Sequence, residues 1–245
     1  VAKMLFAELV FARLFAQLDK TDTKYVKVLC DFPALPAVTA CAHLQWDTRT
    51  QDIATIFSYA VPAFINEFQL RGFVDEEGFV RFALIVHGHH SPYLPVFRAD
   101  GQWHHFCVTW QQENGTWAIY ADGKRRASAS GLCSVGPSAP QAILGHGTFI
   151  IGQDQDSLGG TFRAKESFSG NVTDLHIWQR VLGAQQIEKV QPTPAGHIPR
   201  FWDAELWRAS QARHLQAHWP VGHGERQERR VKLQTGSCVQ NKIQL

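Results

Sequence analysis

Trp103-His104-His105-Phe106-Cys107-Val108-Thr109-Trp110 opens the passage that decides the fold; Glu113-Asn114-Gly115, Trp117-Ala118-Ile119-Tyr120 and Asp122-Gly123 complete it. The first run is dense in aromatic and β-branched residues, which suit a pleated, half-buried surface. Asn114-Gly115 and Asp122-Gly123 both tolerate positive φ and so close tight hairpins. Three antiparallel strands within about 25 residues make a meander, a pattern that parallel α/β folds rarely contain.

Working outward, 79–86, 148–153 and 171–178 read as further strands, each with one plausible buried face. Only 183–190, with Ile187 and Val190 three apart, reads as a short helix before Pro192 and Pro194 end it. The apolar stretch from Met4 to Leu18 is interrupted by Glu8 and Arg13, too short and too charged to span a bilayer. It fits an amphipathic helix or the lead into a first strand equally well. The expected organisation is a lead segment over 1–13, an all-β two-sheet sandwich over 14–207, and a basic, irregular tail over 208–245, where seven Lys or Arg stand against two Glu.

At 245 residues and 44% hydrophobic composition the chain can bury a sizeable core. A formal net charge of +2 gives no field that argues for nucleic acid or an anionic membrane as the main partner. The five cysteines, Cys30, Cys41, Cys107, Cys133 and Cys238, form no CxxC pair and no zinc-finger spacing, so a structural disulfide is the better reading. An odd number leaves at least one thiol single or intermolecular. The sequons at Asn114 and Asn171 would mark glycosylation in a secreted chain. A first residue of Val rather than Met is expected of a piece of a longer product.

His105-Phe106-Cys107-Val108-Thr109-Trp110 resembles the signature of the pentraxin family: a His, a Cys two positions later, then Ser or Thr followed by Trp. Phe57-Ser58-Tyr59-Ala60 ahead of Asn66-Glu67, the run 151–160, Phe168-Ser169-Gly170-Asn171-Val172, and Ile177-Trp178 before Val181-Leu182 follow in family order, over roughly residues 14 to 207. The resemblance implies a flattened jelly roll related to concanavalin and laminin-G folds, one disulfide between the sheets, and a double calcium site on one face that receives the ligand. Cys41 and Cys107 stand at the family's disulfide positions; Cys30, Cys133 and Cys238 have no counterpart. Within the family the chain looks most similar to the N-terminal domains of adhesion G-protein-coupled receptors of the D subfamily, and next to the neuronal pentraxins. The segment 133–147 and everything beyond Arg208 depart from the family pattern.

Calcium wants six to eight oxygens at about 2.3–2.6 Å. Asp154 and Asp156, two apart on an extended strand, would point the same way, with the Gln155 carbonyl offered between them. Gly159 and Gly160 let the chain turn so that Glu166 returns towards the aspartates. Asn66 matches the family's amide ligand. Ile65 stands where many members place a polar ligand, and Arg163 stands where the second ion's carboxylate is expected; a guanidinium cannot ligate a cation. The first ion keeps Asn66, Asp154, the Gln155 carbonyl and Asp156, and the second only the shared aspartates and Glu166. One competent calcium site and a weak or absent second are therefore expected, with Arg163 set to take the second ion's place by pairing with Asp156 or Glu166 as a built-in cation.

The histidines at 87, 89, 90, 104 and 105 could share zinc, but twelve histidines on a β-rich chain produce such pairs without it, and the family reading puts His105 in the sandwich. A jelly-roll glycosidase would want a third acid where Leu158 stands, so catalysis has no support. Trp103, Trp110, Trp117 and Trp178 read as core. The expected function is therefore an extracellular or cell-surface, calcium-dependent recognition module. Its ligand would be a protein or a phosphate- or carbohydrate-bearing molecule, and it would reach a membrane only through a downstream part of its product. The alternative is a calcium-independent protein-interaction or oligomerisation domain, and a homo-oligomer fits either reading.

Overall fold

The computed structural model describes residues 8–11, 15–17, 19–28, 31–133, 142–190 and 215–218. Fifteen strands run in chain order: β1 (Glu8–Phe11), β2 (Phe15–Gln17), β3 (Tyr25–Val28), β4 (Ala37–Trp46), β5 (Ala54–Val61), β6 (Phe64–Val74), β7 (Phe79–Val86), β8 (His89–His90), β9 (Leu94–Arg98), β10 (Trp103–Gln111), β11 (Thr116–Ala121), β12 (Lys124–Ala129), β13 (Thr148–Ile151), β14 (Gly170–Trp178) and β15 (Leu215–His218). Among the described residues one α-helix, α1, spans Ala184–Val190. The strands form two antiparallel sheets. One has the order β1-β14-β4-β10-β11-β12 with β2 also on β14; the other runs β15-β3-β13-β5-β6-β7-β8 with β9 also on β7.

The meander is β10-β11-β12: β10 and β11 pair in register with Trp110 opposite Trp117, and a bulge between Ile119 and Tyr120 shifts β11 against β12. Because side chains alternate across a strand, Phe106, Val108 and Trp110 face inward while His105, Cys107 and Thr109 face out. The same parity sends Val38, Ala40, Ala42, Leu44 and Trp46 of β4 into the core. From the other sheet come Phe57, Tyr59, Phe68, Leu70, Phe82 and Phe149. Edge-to-face pairs such as Phe82 with Phe106 and Trp46 with Phe168 tie the layers together.

Four expectations change. The N-terminal stretch, left open between helix and strand, supplies β1 and β2, both paired with β14. The tail expected to be irregular contains β15, which pairs with β3 through Leu215 opposite Val28. Trp110, Trp117 and Trp178 are buried, but Trp103, at the start of β10, is only half-buried. The Cys41–Cys107 disulfide exists, yet it joins directly opposed residues of β4 and β10 within one sheet rather than the two sheets. Parity is the reason: both cysteines sit between inward residues, so both sulfurs emerge on the outer face. There, with Ala118, Tyr120, Trp178, Leu182 and Ile187 of α1, they form a second, smaller core. Cys133 is a free thiol, while Cys30 and Cys238 lie outside the described residues. Among the described residues no helix is long and apolar enough to cross a membrane.

Candidate metal-binding face

The outer face of the second sheet, opposite the one that carries α1, is roofed over β5 and β6 by the segment 152–167. The segment begins where β13 stops. Gly152, at φ +88°, turns the chain off the strand and donates its N–H to the Ile56 carbonyl. It ends where Ser167 bridges to Thr55 and Phe168 N–H returns to the Gly152 carbonyl. Between these pins, Gln155 is a brace. Its buried amide nitrogen donates to the Ser58 and Thr148 carbonyls at 3.0 Å each, and its oxygen accepts the Gly159 N–H at 2.8 Å. The side chain is thus structural.

Asp154 and Asp156 do not lie on a strand, as the alternation argument supposed; the loop gathers them. Glu166 arrives on a single 3-10 turn, Ala164–Glu166, after Gly159 at φ +76° and a Ser157–Gly160 bridge reverse the chain. One carboxylate oxygen from each of Asp154, Asp156 and Glu166 lies within 4.8 Å of the others. Asn66 joins through an irregularity in β6. Between the pairs Tyr59–Phe68 and Val61–Phe64 that strand carries extra residues, which turn Asn66 onto the face of Gln69. The Gln69 amide then donates to Asn66 Oδ1 at 2.7 Å and to Asp154 Oδ1 at 3.0 Å. Asn66, Asp154, Asp156 and Glu166 are therefore brought together on one face, with Gln155 bracing the loop between the two aspartates. Glu67, next to Asn66, is turned away: its carboxylate is buried, accepting Leu144 N–H at 2.6 Å and facing His87 Nδ1 at 2.9 Å.

Two guanidiniums share the face. Arg71 pairs with Asp154 Oδ2 and donates to Gln69 Oε1 at 3.0 Å. Arg163 places Nε 2.7 Å from Asp156 Oδ2 and Nη1 4.0 Å from Glu166 Oε1. The first of these contacts is close but off the hydrogen-bonding direction, so Asp156 Oδ2 remains a buried acceptor without a hydrogen bond; Glu166 Oε2 is another. Burial pushes the Asp154 carboxyl above the ordinary carboxylate range, and Asp156 adds to this, against the pull of Arg71. Lys20, pinned to the Lys165 carbonyl and Asp52, stands on the Glu166 side. Three carboxylates against two guanidiniums leave one negative charge uncompensated. Hard oxygens, two of them orphaned, and a residual negative charge suit a hard divalent cation. Arg71 and Gln69 escaped the sequence reading. Their signal was the alternation Phe68-Gln69-Leu70-Arg71, which buries the apolar pair and sends the polar pair to the face of Asn66.

The other expected positions fall elsewhere. Asn114 is exposed in the β10–β11 turn, whereas Asn171 sits on β14 with its amide donating to Gln45 Oε1 at 2.7 Å. His105 is buried, but on the outer side of its sheet beside the disulfide and His43, not between the sheets.

The model of the Pentaxin family matches residues 13–202. The chain is 45% identical over 188 residues to human adhesion G protein-coupled receptor D2, covering 76% of this chain and 19% of that protein. It is 36% identical over 171 residues to human neuronal pentraxin-2, covering 70% and 37%. It thus spans well under half the length of either relative. Among solved structures, a native heptameric SAP-like pentraxin from Limulus polyphemus superposes with TM-score 0.63 at 26% identity, covering 78% of this chain and 84% of that one.

Proposed function

The chain belongs to the pentaxin family, and from that premise we propose that it is an extracellular or cell-surface recognition module. Its ligand face is the Asp154–Asp156–Glu166 cluster, supported by one calcium ion. The observation that carries this reading is the convergence of three carboxylates, two of them with buried, unbonded oxygens, beside Asn66. Asn66, Asp154, Asp156, Glu166 and the Gln155 carbonyl would hold the ion. Bound there, calcium supplies a hard positive charge that an anionic or hydroxyl-rich group of a ligand can share. The chain's own residues brace the loop through Gln155 and keep Asp154 oriented through Gln69 and Arg71. Likeness to the receptor supports a place in a receptor ectodomain, and the Limulus protein's heptamer makes a homo-oligomer worth testing. Recognition rather than catalysis is favoured because Leu158, exposed beside the cluster, stands where a glycosidase would need its third acid. For a glycan, the exposed Asn114 is the readier acceptor, since Asn171 would first have to release Gln45.

The second reading, a module that works by protein contacts without calcium, is favoured by the two guanidiniums that already neutralise most of the acidic charge. A calcium titration read by thermal melting decides between them. A native-state binder gains about 2.7 kcal/mol when calcium reaches a hundredfold excess over its Kd. The chain is expected to show that rise, and Asp156→Asn, still folded, is expected to lose it. A melting temperature indifferent to calcium in the unsubstituted chain would leave the protein-contact reading standing alone.

A further inference from the structure

Asp156 and Glu166 are held together by a cation that belongs to the chain itself. The Arg163 side chain is 54% exposed and touches the pair by charge alone, with no aligned hydrogen bond to Asp156 Oδ2 and 4.0 Å separating it from Glu166. An exposed ion pair of that kind is weakly held. Its surroundings are not. Phe162, the residue before it, packs on Tyr25 with ring centroids 4.6 Å apart; Ser167 bridges to Thr55, and Phe168 returns to Gly152. Arg163 can therefore swing into solvent by side-chain rotation while both carboxylates keep their positions. Arg71 differs: it is four-fifths buried and pinned on both Gln69 and Asp154, so it has no such exit.

We propose that Arg163 is a displaceable internal counter-ion, which clamps Asp156 to Glu166 when calcium is scarce and must leave that pair for calcium to take it. Guanidinium and calcium are then mutually exclusive at these two oxygens, and the competition lowers the calcium affinity of the face. This inference rests on the calcium reading above. An exposed pair of this strength corresponds to an affinity penalty of at most about fivefold.

The test uses the unsubstituted chain, Arg163→Gln and, as a second charge-removing variant, Arg163→Ala. Each is melted across a calcium titration and in EDTA, with terbium luminescence as an independent reading of occupancy. Removing the guanidinium is expected to lower the half-saturating calcium by up to about fivefold and to lower the melting temperature in EDTA, with calcium restoring it. Half-saturation that is unchanged or higher in folded variants, while the unsubstituted chain responds to calcium, overturns the clamp and leaves the calcium reading intact. Indifference of all three proteins sinks both. A response confined to the variants supports the clamp and removes the calcium reading from the native chain.

Discussion

His104 and His105 are neighbours on β10 and their pKa values are pushed in opposite directions. His104 places Nδ1 2.8 Å from Asp122 and Nε2 3.1 Å from Asp100, and stacks on Phe97. Partial burial opposes its charge, but hydrogen bonds to the two acids prevail and raise its pKa. His105 is pushed down to about 4, first by burial and then by the neighbouring His43. The signs differ accordingly. His104 contributes stability that is fully present below its unfolded pKa and is lost as pH rises through the raised folded value. His105 stays neutral in the native state while the unfolded chain takes up a proton below about 6.5, so stability is lost as pH falls from there towards 4, by on the order of 3 kcal/mol in all. We expect His105→Gln to flatten the decline in unfolding free energy between pH 6.5 and 4 in urea titrations. NMR should show the His104 ring still charged at a pH where His105 is neutral.

At the level of elements, the disulfide and α1 make one unit. Cys41 and Cys107 face each other with Cα atoms 4.0 Å apart on strands already joined by a hydrogen-bonded ladder, and the cover over them is Leu182 and Ile187. The bridge spans 66 residues of sequence. Its contribution in the chain-entropy model is about 4 kcal/mol, acting on the unfolded chain rather than on sheet-to-sheet packing. Replacing both cysteines by Ala should therefore lower the unfolding free energy by about that much while leaving the two-sheet arrangement and the calcium response in place, as read by chemical denaturation and circular dichroism. Loss of the calcium response with the fold intact would contradict the separation of the two outer faces.

Across the whole molecule, the two sheets share one core, but their outer faces are specialised. One bears the disulfide, α1, His43 and His105; the other bears the acidic loop. The strands β4, β10, β5 and β6 lie within the sheets, whereas β12 and the two-residue β8 are borders. Global unfolding is the only route to expose the interior ladders, so amide exchange should be slowest on β4, β10, β5 and β6 and fast on β12 and β8. Equal protection along β12 and β10 would show that the border strand is covered by something outside the described residues.

Strand identity was legible in the chain because period-two alternation and Asn-Gly or Asp-Gly turns are local properties, and 103–123 carries both. The acidic cluster was legible for the same reason: Asp154, Asp156 and Glu166 fall within a single loop whose glycines announce a reversal. Three things were decided only by tertiary structure. Whether Cys41 and Cys107 link sheets or neighbouring strands depends on which face each strand turns inward, and that parity is set by the partner sheet. Arg71 becomes part of the site only because β6 lies beneath the loop after β13. Finally, Arg163 was legible as a cation set to pair with Asp156 or Glu166, but that it reaches both, at 2.7 Å and 4.0 Å, depends on the 3-10 turn that brings Glu166 beside Asp156.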